Sequence, residues 1–154
     1  MVESYDDILD RSFDDLQDDK TLPGGLWVLR LRNAHFMTPR EEGQSAQVLF
    51  FYHPIEPTDD VDQDELDALG DDYDVTENQI VFKVWIDGNR AWKDLMRHLK
   101  KHSGVDWDAG SIREVLKTGV KGSEVVSRLG ERTYENTFGE LVTENVASDF
   151  RALA

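Results

Sequence analysis

Residues 78–104, NQIVFKVWIDGNRAWKDLMRHLKKHSG, change hydrophobic period once, from alternation to helical spacing. Such a stretch fits a strand that turns directly into a helix. Ile80, Phe82, Val84 and Ile86 fall on one face of the strand, and Val81, Lys83 and Trp85 on the other. The first face is core; the second, a cation beside an indole, is a mixed surface. Asp87-Gly88-Asn89 supplies turn and N-cap chemistry. Trp92, Leu95, Met96 and Leu99 then follow at i, i+3, i+4 and i+7, the spacing of a core-facing helix. Its remaining faces carry Arg90, Lys93, Arg97, Lys100 and Lys101 against the single acid Asp94. Cations in the last turns also suit the negative end of the helix dipole.

That basic helix stands out because the chain carries a formal charge of -15 over its 154 residues. The acidity is concentrated in two segments. Residues 1–25 hold eight acids and two bases, and residues 56–77 hold eleven acids and no base. What remains has 13 acids and 15 bases, a charge of +2, so the whole-chain charge is a poor guide to what the body binds. The length fits one domain with a sizeable core. The absence of cysteine excludes disulfides, thiolate zinc sites and cysteine catalysis. No apolar run reaches transmembrane length, and MVESYDDILD is acidic, unlike a signal peptide. The expectation is a soluble cytoplasmic protein with no membrane partner.

Residues 1–22 read as an acidic arm in which Tyr5, Ile8, Leu9, Phe13 and Leu16 are spaced for an amphipathic helix. After Leu22-Pro23-Gly24-Gly25, the first strand places Trp27, Leu29 and Leu31 on one side and Val28, Arg30 and Arg32 on the other. Residues 46–53, AQVLFFYH, form a second strand, apolar on both faces and therefore central, which Pro54 and Pro57 end. Residues 56–77 read as a solvated acidic insertion with at most a short helix. Asp60, Asp62 and Asp64 match the first positions of a calcium loop, but Glu65 stands where glycine is required and Asp71 where glutamate is. Beyond the central helix, Ser111 and Glu114 form a capping-box pattern for a helix over 112–117. Lys117 to Gly122 is a basic glycine-punctuated loop, SEVVSRL a fourth strand, Gly130-Glu131-Arg132 a turn, and Thr133–Leu141 the last strand. Residues 143–154 lack periodicity and read as a tail, closing a domain over 23–142.

Catalysis finds little support. There is no serine nucleophile elbow and no phosphate-cradling glycine loop. His98 and His102 have the i, i+4 spacing of metal ligands, but Leu99 stands where a zinc-protease helix needs glutamate. Satisfied or solvent-exposed histidines are expected, with no metal, no cofactor and no enzyme activity.

Binding is better supported. About five strands with one main helix after the third, in a mildly basic body, point to a mainly β (α+β) fold, a five-stranded Greek-key barrel of the OB type. Such barrels hold single strands where cations track phosphate and aromatics stack on bases. The candidate nucleic-acid-binding residues are Arg30, Arg32, Lys83 and Trp85, with Lys117, Lys121, Arg128, Arg132 and Tyr134 from the C-terminal half.

The order of segments also resembles that of phage single-stranded-DNA-binding proteins with an OB fold. The resemblance rests on an FDDL arm before LPGGLWVLRLRNA, then VLFFYHPIEP, IVFKVWI, RAWKDLMRHLKKHSGVDWDA and LKTGVKGSEVVSRLGERTYENTFGEL, spanning most of residues 12–141. In that family a strand opened by lysine and glycine follows the helix, here Lys121-Gly122, and the last strand bears tyrosine and asparagine, here Tyr134 and Asn136. The resemblance implies non-sequence-specific single-stranded DNA binding in phage replication or recombination, in the cytoplasm of an infected host. Many such proteins end in an acidic tail that recruits replication proteins, whereas this chain ends SDFRALA. One of the two acidic segments is expected to take that role and to cover the basic groove until DNA displaces it. The alternative reading makes the acidic segments themselves the functional surface, as a virion component or a DNA-mimicking inhibitor. Oligomeric state is left open, a homo-oligomer included.

Overall fold

In the computed structural model, which describes residues 20–39 and 41–153, the chain is mainly β. Its strands are β1 (Gly25–Met37), β2 (Ala46–Pro57), β3 (Ile80–Ile86), β4 (Glu124–Glu135) and β5 (Leu141–Arg151). They form one antiparallel sheet in the order β3-β2-β1-β4-β5. Between them lie the short helix α1 (Gln63–Asp67), the main helix α2 (Asn89–Lys100) and a single turn α3 (Ile112–Glu114) that runs into a π-turn, Val115–Gly119. Of the acidic arm, residues 1–19 lie outside the described residues. Its last residues belong to the body: Leu22 is fully buried and exchanges two hydrogen bonds with the Asn145 side chain.

Alternation decides which face of the sheet is core. Trp27, Leu29 and Leu31 of β1, Val48, Phe50 and Tyr52 of β2, and Ile80 of β3 are buried, while Arg32, Lys83 and Trp85 point away from them. The Trp27 indole is wholly enclosed and donates its N–H to the Pro23 carbonyl (3.0 Å), as a buried indole must find an acceptor.

Several boundaries differ from the sequence reading. β2 runs on through Pro54 to Pro57 rather than ending at His53. The register slips there, with Val28 opposite Glu56 but Leu29 opposite Pro54, and β3 pairs with β2 only as far as Tyr52. A bulge beyond the reach of the next strand is where a strand tolerates proline. The fifth strand is not Thr133–Leu141, and residues 143–154 are not a tail: most of them form β5, which begins at Leu141. The expected turn Gly130-Glu131-Arg132 is mid-strand in β4, paired with Val146, Asn145 and Glu144. β1 accompanies β4 only to Leu129, so the rest of β4 and β5 projects as a two-stranded ribbon.

The insertion over 56–77 is not a solvated loop. All eleven of its carboxylates are exposed, but Val61 is buried and Leu66, Leu69, Tyr73 and Val75 pack against the core. Its start presses on β1, where a Cβ at Gly25 (φ +133°) would come 3.0 Å from Val61 Cγ2. Asp60 accepts the Leu26 N–H (3.0 Å), and Asp62 caps α1 through the Glu65 N–H (3.1 Å). Two of the three aspartates at calcium-loop spacing are therefore spent on backbone amides.

α2 turns Leu95 and Leu99 to the core and packs Trp92 against it as expected, but His98 takes the place expected of Met96. Leu95, Leu99 and His98 are buried, with His102 just beyond the helix, whereas Met96 is exposed. His102 Nδ1 lies 3.0 Å from the His98 carbonyl and so must donate to it. Its Nε2 then accepts the Tyr52 hydroxyl proton (2.7 Å), and the Tyr52 oxygen accepts from His98 Nε2–H (2.9 Å). This chain is complete with both imidazoles neutral. Phe50, Phe82 and Phe150 surround the His98 ring at centroid distances of 5.0, 4.9 and 4.5 Å. Phe82 of β3 and Phe150 of β5 are themselves 4.6 Å apart, so the two edge strands approach each other through their side chains.

Ser111 caps α3 as expected, accepting the Glu114 N–H. The π-turn that follows brings Gly119 so close to Asp106 that an added Cβ would lie 2.4 Å from the Asp106 carbonyl oxygen. Gly119→Ala should therefore cost about 2–4 kcal/mol, lowering the melting temperature by roughly 4–16 °C in a scan against wild type. A change under about 2 °C would mean that the backbone yields there.

Burial holds His98 to a pKa of about 3 and His102 to about 4. Unfolded, both titrate near 6.5. Below about pH 6.5 the unfolded chain takes up two protons that the folded one refuses, so stability is full above that pH and falls as pH drops towards 4. The slope should approach roughly 2–3 kcal/mol per pH unit. Urea midpoints at pH 7.5, 6 and 5 measure it. Subtracting the His98→Gln/His102→Gln double variant removes the contribution of the carboxylates. Equal slopes for the two proteins would mean that the imidazoles are hydrated.

Candidate nucleic-acid interface

The outer face of β1, β2 and β3 is built by the residues that alternation excludes from the core. Backbone register places them side by side: Gln47 opposite Trp85, Leu49 between His35 and Lys83, Phe51 between Asn33 and Val81, and His53 opposite Arg30. Trp85 is 55 % exposed with Lys83 exposed two residues before it, and Arg32 is exposed farther along the same face, near His53. Phe51 and Leu49 are half-buried between the cations, so this surface offers flat apolar area and positive charge together.

Arg32 donates through Nε to His53 Nδ1 (2.9 Å), so His53 must be neutral. Its partial burial, and then the charges of Arg32 and Arg30, lower its pKa to about 4. The bond turns the Arg32 fork along β2 and leaves its terminal nitrogens without a carboxylate partner among the described residues. Lys83 likewise forms no ion pair among them.

Towards the loop joining β1 and β2 the face hollows into a cavity of about 590 Å³, lined by Thr38, Gln44, Gln47, Leu49, Lys83 and Trp85 among others. Gln47, one of its lining residues, has an Oε1 that is buried with no hydrogen-bond partner among the described residues. A buried acceptor without a donor is costly. The same hollow is lined by the exposed Trp85 indole and by Lys83, which forms no ion pair among the described residues.

The other candidates from the sequence are spread along the same sheet or lie off it. Arg30 is bound by Glu124 (2.9 Å). Arg128 lies opposite Leu26, near the far end of β1, held by Asp60 (3.3 Å) and Asp149 (3.9 Å). Arg132 pairs with Glu144 on the ribbon, and its guanidinium lies 5.4 Å from the Tyr134 ring centroid. Lys121 precedes Gly122, whose N–H donates to the Leu31 carbonyl, so that loop abuts β1. Lys117 is carried on the exposed side of the π-turn, whose buried Val115 and Leu116 pack towards α2. The structure thus gathers Arg30, Arg32, Lys83 and Trp85 on one face and carries Arg128, Arg132 and Tyr134 away along β4. Gln47, Leu49, Phe51 and His53 belong to that face and were missed in the sequence, although β2 alternation already paired Leu49 with Phe51.

Among the described residues, no group of histidine, aspartate or glutamate side chains is arranged to hold a metal ion, and no helix is long and apolar enough to cross a membrane. No family model and no curated protein matches the chain.

Proposed function

We propose that this chain binds single-stranded DNA without sequence preference, in the replication or recombination of phage DNA, as a binding protein rather than an enzyme. The observation that carries the proposal is the outer face of β1–β3, where exposed Trp85 and Lys83 line one hollow together with Gln47 and Leu49. A base would stack on the indole while Lys83 and Arg32 meet phosphates. The strand order supports an OB-type barrel. β4 returns after a long connection to lie beside β1, as in a Greek key, and the Phe82–Phe150 contact draws the two edge strands together. In that architecture the face of strands 2 and 3 and the adjoining loop are where oligonucleotides lie.

The ion pairs of Arg30 and Arg128 give the acids a part in this reading. Asp60, from the acidic insertion, occupies Arg128, so the insertion already neutralises one end of the cationic track. Whether the arm does the same concerns residues 1–19, outside the described residues.

A second reading has its own observation: the eleven carboxylates of the insertion are displayed on an ordered segment that packs on the core. An acidic interaction module or DNA mimic would use them against a basic protein.

Anisotropy titration of labelled oligo-dT at low and moderate salt, with duplex as competitor, separates the two. The expected result is salt-sensitive binding to the single strand. Trp85→Ala should lose about 1–3 kcal/mol, and Lys83→Ala should flatten the slope of log K against log salt by about 0.7. Glu124→Gln, which frees Arg30, should tighten binding. No binding at low salt, or duplex competing as well as single strand, would sink the proposal and leave the acidic surface as the better reading.

A further inference from the structure

The ribbon of β4 and β5 ends in an apolar knob that no other described residue covers. Phe138 is 86 % exposed and Leu141 78 %. The loop is braced, because the Asn136 side chain accepts the N–H of both Phe138 (2.9 Å) and Glu140 (3.0 Å), and Gly139 takes the positive φ (+76°) that closes the turn. The phenyl ring is thus presented at little further entropic cost. Residues 131–144 carry four glutamates against one arginine, so the knob stands in an acidic collar.

At the other end of the molecule lies an apolar groove. α2 and the segment over 107–116 enclose about 370 Å³ lined by Trp92, Met96, Trp107 and Ile112 among others, with Met96, Trp107 and Ile112 themselves exposed. Lys93 lines the groove directly, and helical spacing sets Lys100 one turn beyond Met96. α2 as a whole presents four lysines and arginines against Asp94. The opposite wall bears Asp108, Arg113 and Glu114, so the cationic side is that of α2.

The two features lie at opposite ends of β1. Trp92 stacks on Phe36, near its C-terminal end (6.0 Å between centroids), whereas the ribbon departs beyond the pairing of Gly25 with Leu129. We propose that the Phe138 knob of one copy seats in the Trp92–Met96–Trp107–Ile112 groove of the next, acidic collar against α2, to give open head-to-tail chains of this protein. Knob and groove are different surfaces, so the contact is heterologous and propagates unless the rotation closes a ring. An aromatic anchor in an apolar pocket with a complementary charged rim is the usual anatomy of an energetic contact. Its small area makes it weak and concentration-dependent.

Sedimentation velocity of the full chain, from about 10 to about 500 µM, tests this in the range expected for a small interface. The weight-average sedimentation coefficient should rise with concentration and fall with added salt. Phe138→Ser and Met96→Glu, both at exposed positions, should each yield a monomer. An equimolar mixture of the two retains one groove and one knob, and should form a 1:1 dimer that grows no further. Glu140→Lys and Lys93→Glu should each weaken association and, mixed, restore it, which guards against a variant that fails to fold. A wild-type monomer at every concentration overturns the proposal, whether the groove stays open or residues 1–19 of the same chain fill it. Association that survives both Phe138→Ser and Met96→Glu overturns it equally.

Discussion

The Tyr52 hydroxyl is the pivot on which the rest of the structure depends. It lies on the core face of β2, which should be apolar, and α2 brings two imidazoles against it. One phenol can satisfy both only if one histidine donates and the other accepts. The His98 carbonyl dictates which, by taking the Nδ1 proton of His102. A polar trio is then buried without an unpaired group, and three phenylalanines from β2, β3 and β5 close around it. Helix position, strand curvature and the approach of the two sheet edges are thereby tied to one hydrogen-bonded point. Burial raises the Tyr52 pKa well above its usual value and lowers those of the histidines, so all three stay neutral at physiological pH.

Sharing out the excess negative charge is the second constraint. A chain at -15 repels itself unless its acids are kept apart or given partners. The insertion does the first by turning every carboxylate outward from an apolar underside. Single acids do the second at chosen cations: Glu124 at Arg30, Asp60 and Asp149 at Arg128, Glu144 at Arg132. These pairs are half-exposed and individually worth little to stability. Their larger effect is on the local field, because among the described residues they leave Arg32 and Lys83 as the cations of this face without a carboxylate partner.

What could be read in the sequence follows from where burial is one-sided. β1 and β3 each have a core face and a wet face, and their alternation assigned Trp27, Leu29, Leu31, Arg32, Lys83 and Trp85 to the sides on which they are found. The ribbon could not be read this way. Residues 131–135 are exposed on both faces, so no hydrophobic period marks them as strand, and Gly130 at its base mimics a turn. One position of α2 was misread for a related reason. His98 and His102 count as polar in any hydropathy pattern, and the partner that makes them core residues lies about one-third of the chain away in β2. The pattern therefore chose Met96 for the core, and Met96 instead lines the open groove.

The sequence candidates for the interface were chosen by charge, and charge alone does not separate a cation that is free to bind from one already held. Arg30 and Arg32 are alike in the alternation of β1, yet Arg30 ends on Glu124 and Arg32 on a neutral imidazole. The difference arises from neighbours in β4 and β2, supplied by register and not by local sequence. A guanidinium oriented by a neutral histidine keeps its full charge and its outer nitrogens, while its entropy is already partly spent. The outer residues of β2 do the corresponding work for the whole face: Gln47, Leu49 and Phe51 lie between β1 and β3 side chains, and His53 faces β1 beyond the end of β3. The apolar composition of β2 on both sides, which marks an interior strand, is thus also what gives the cations an aromatic and aliphatic floor.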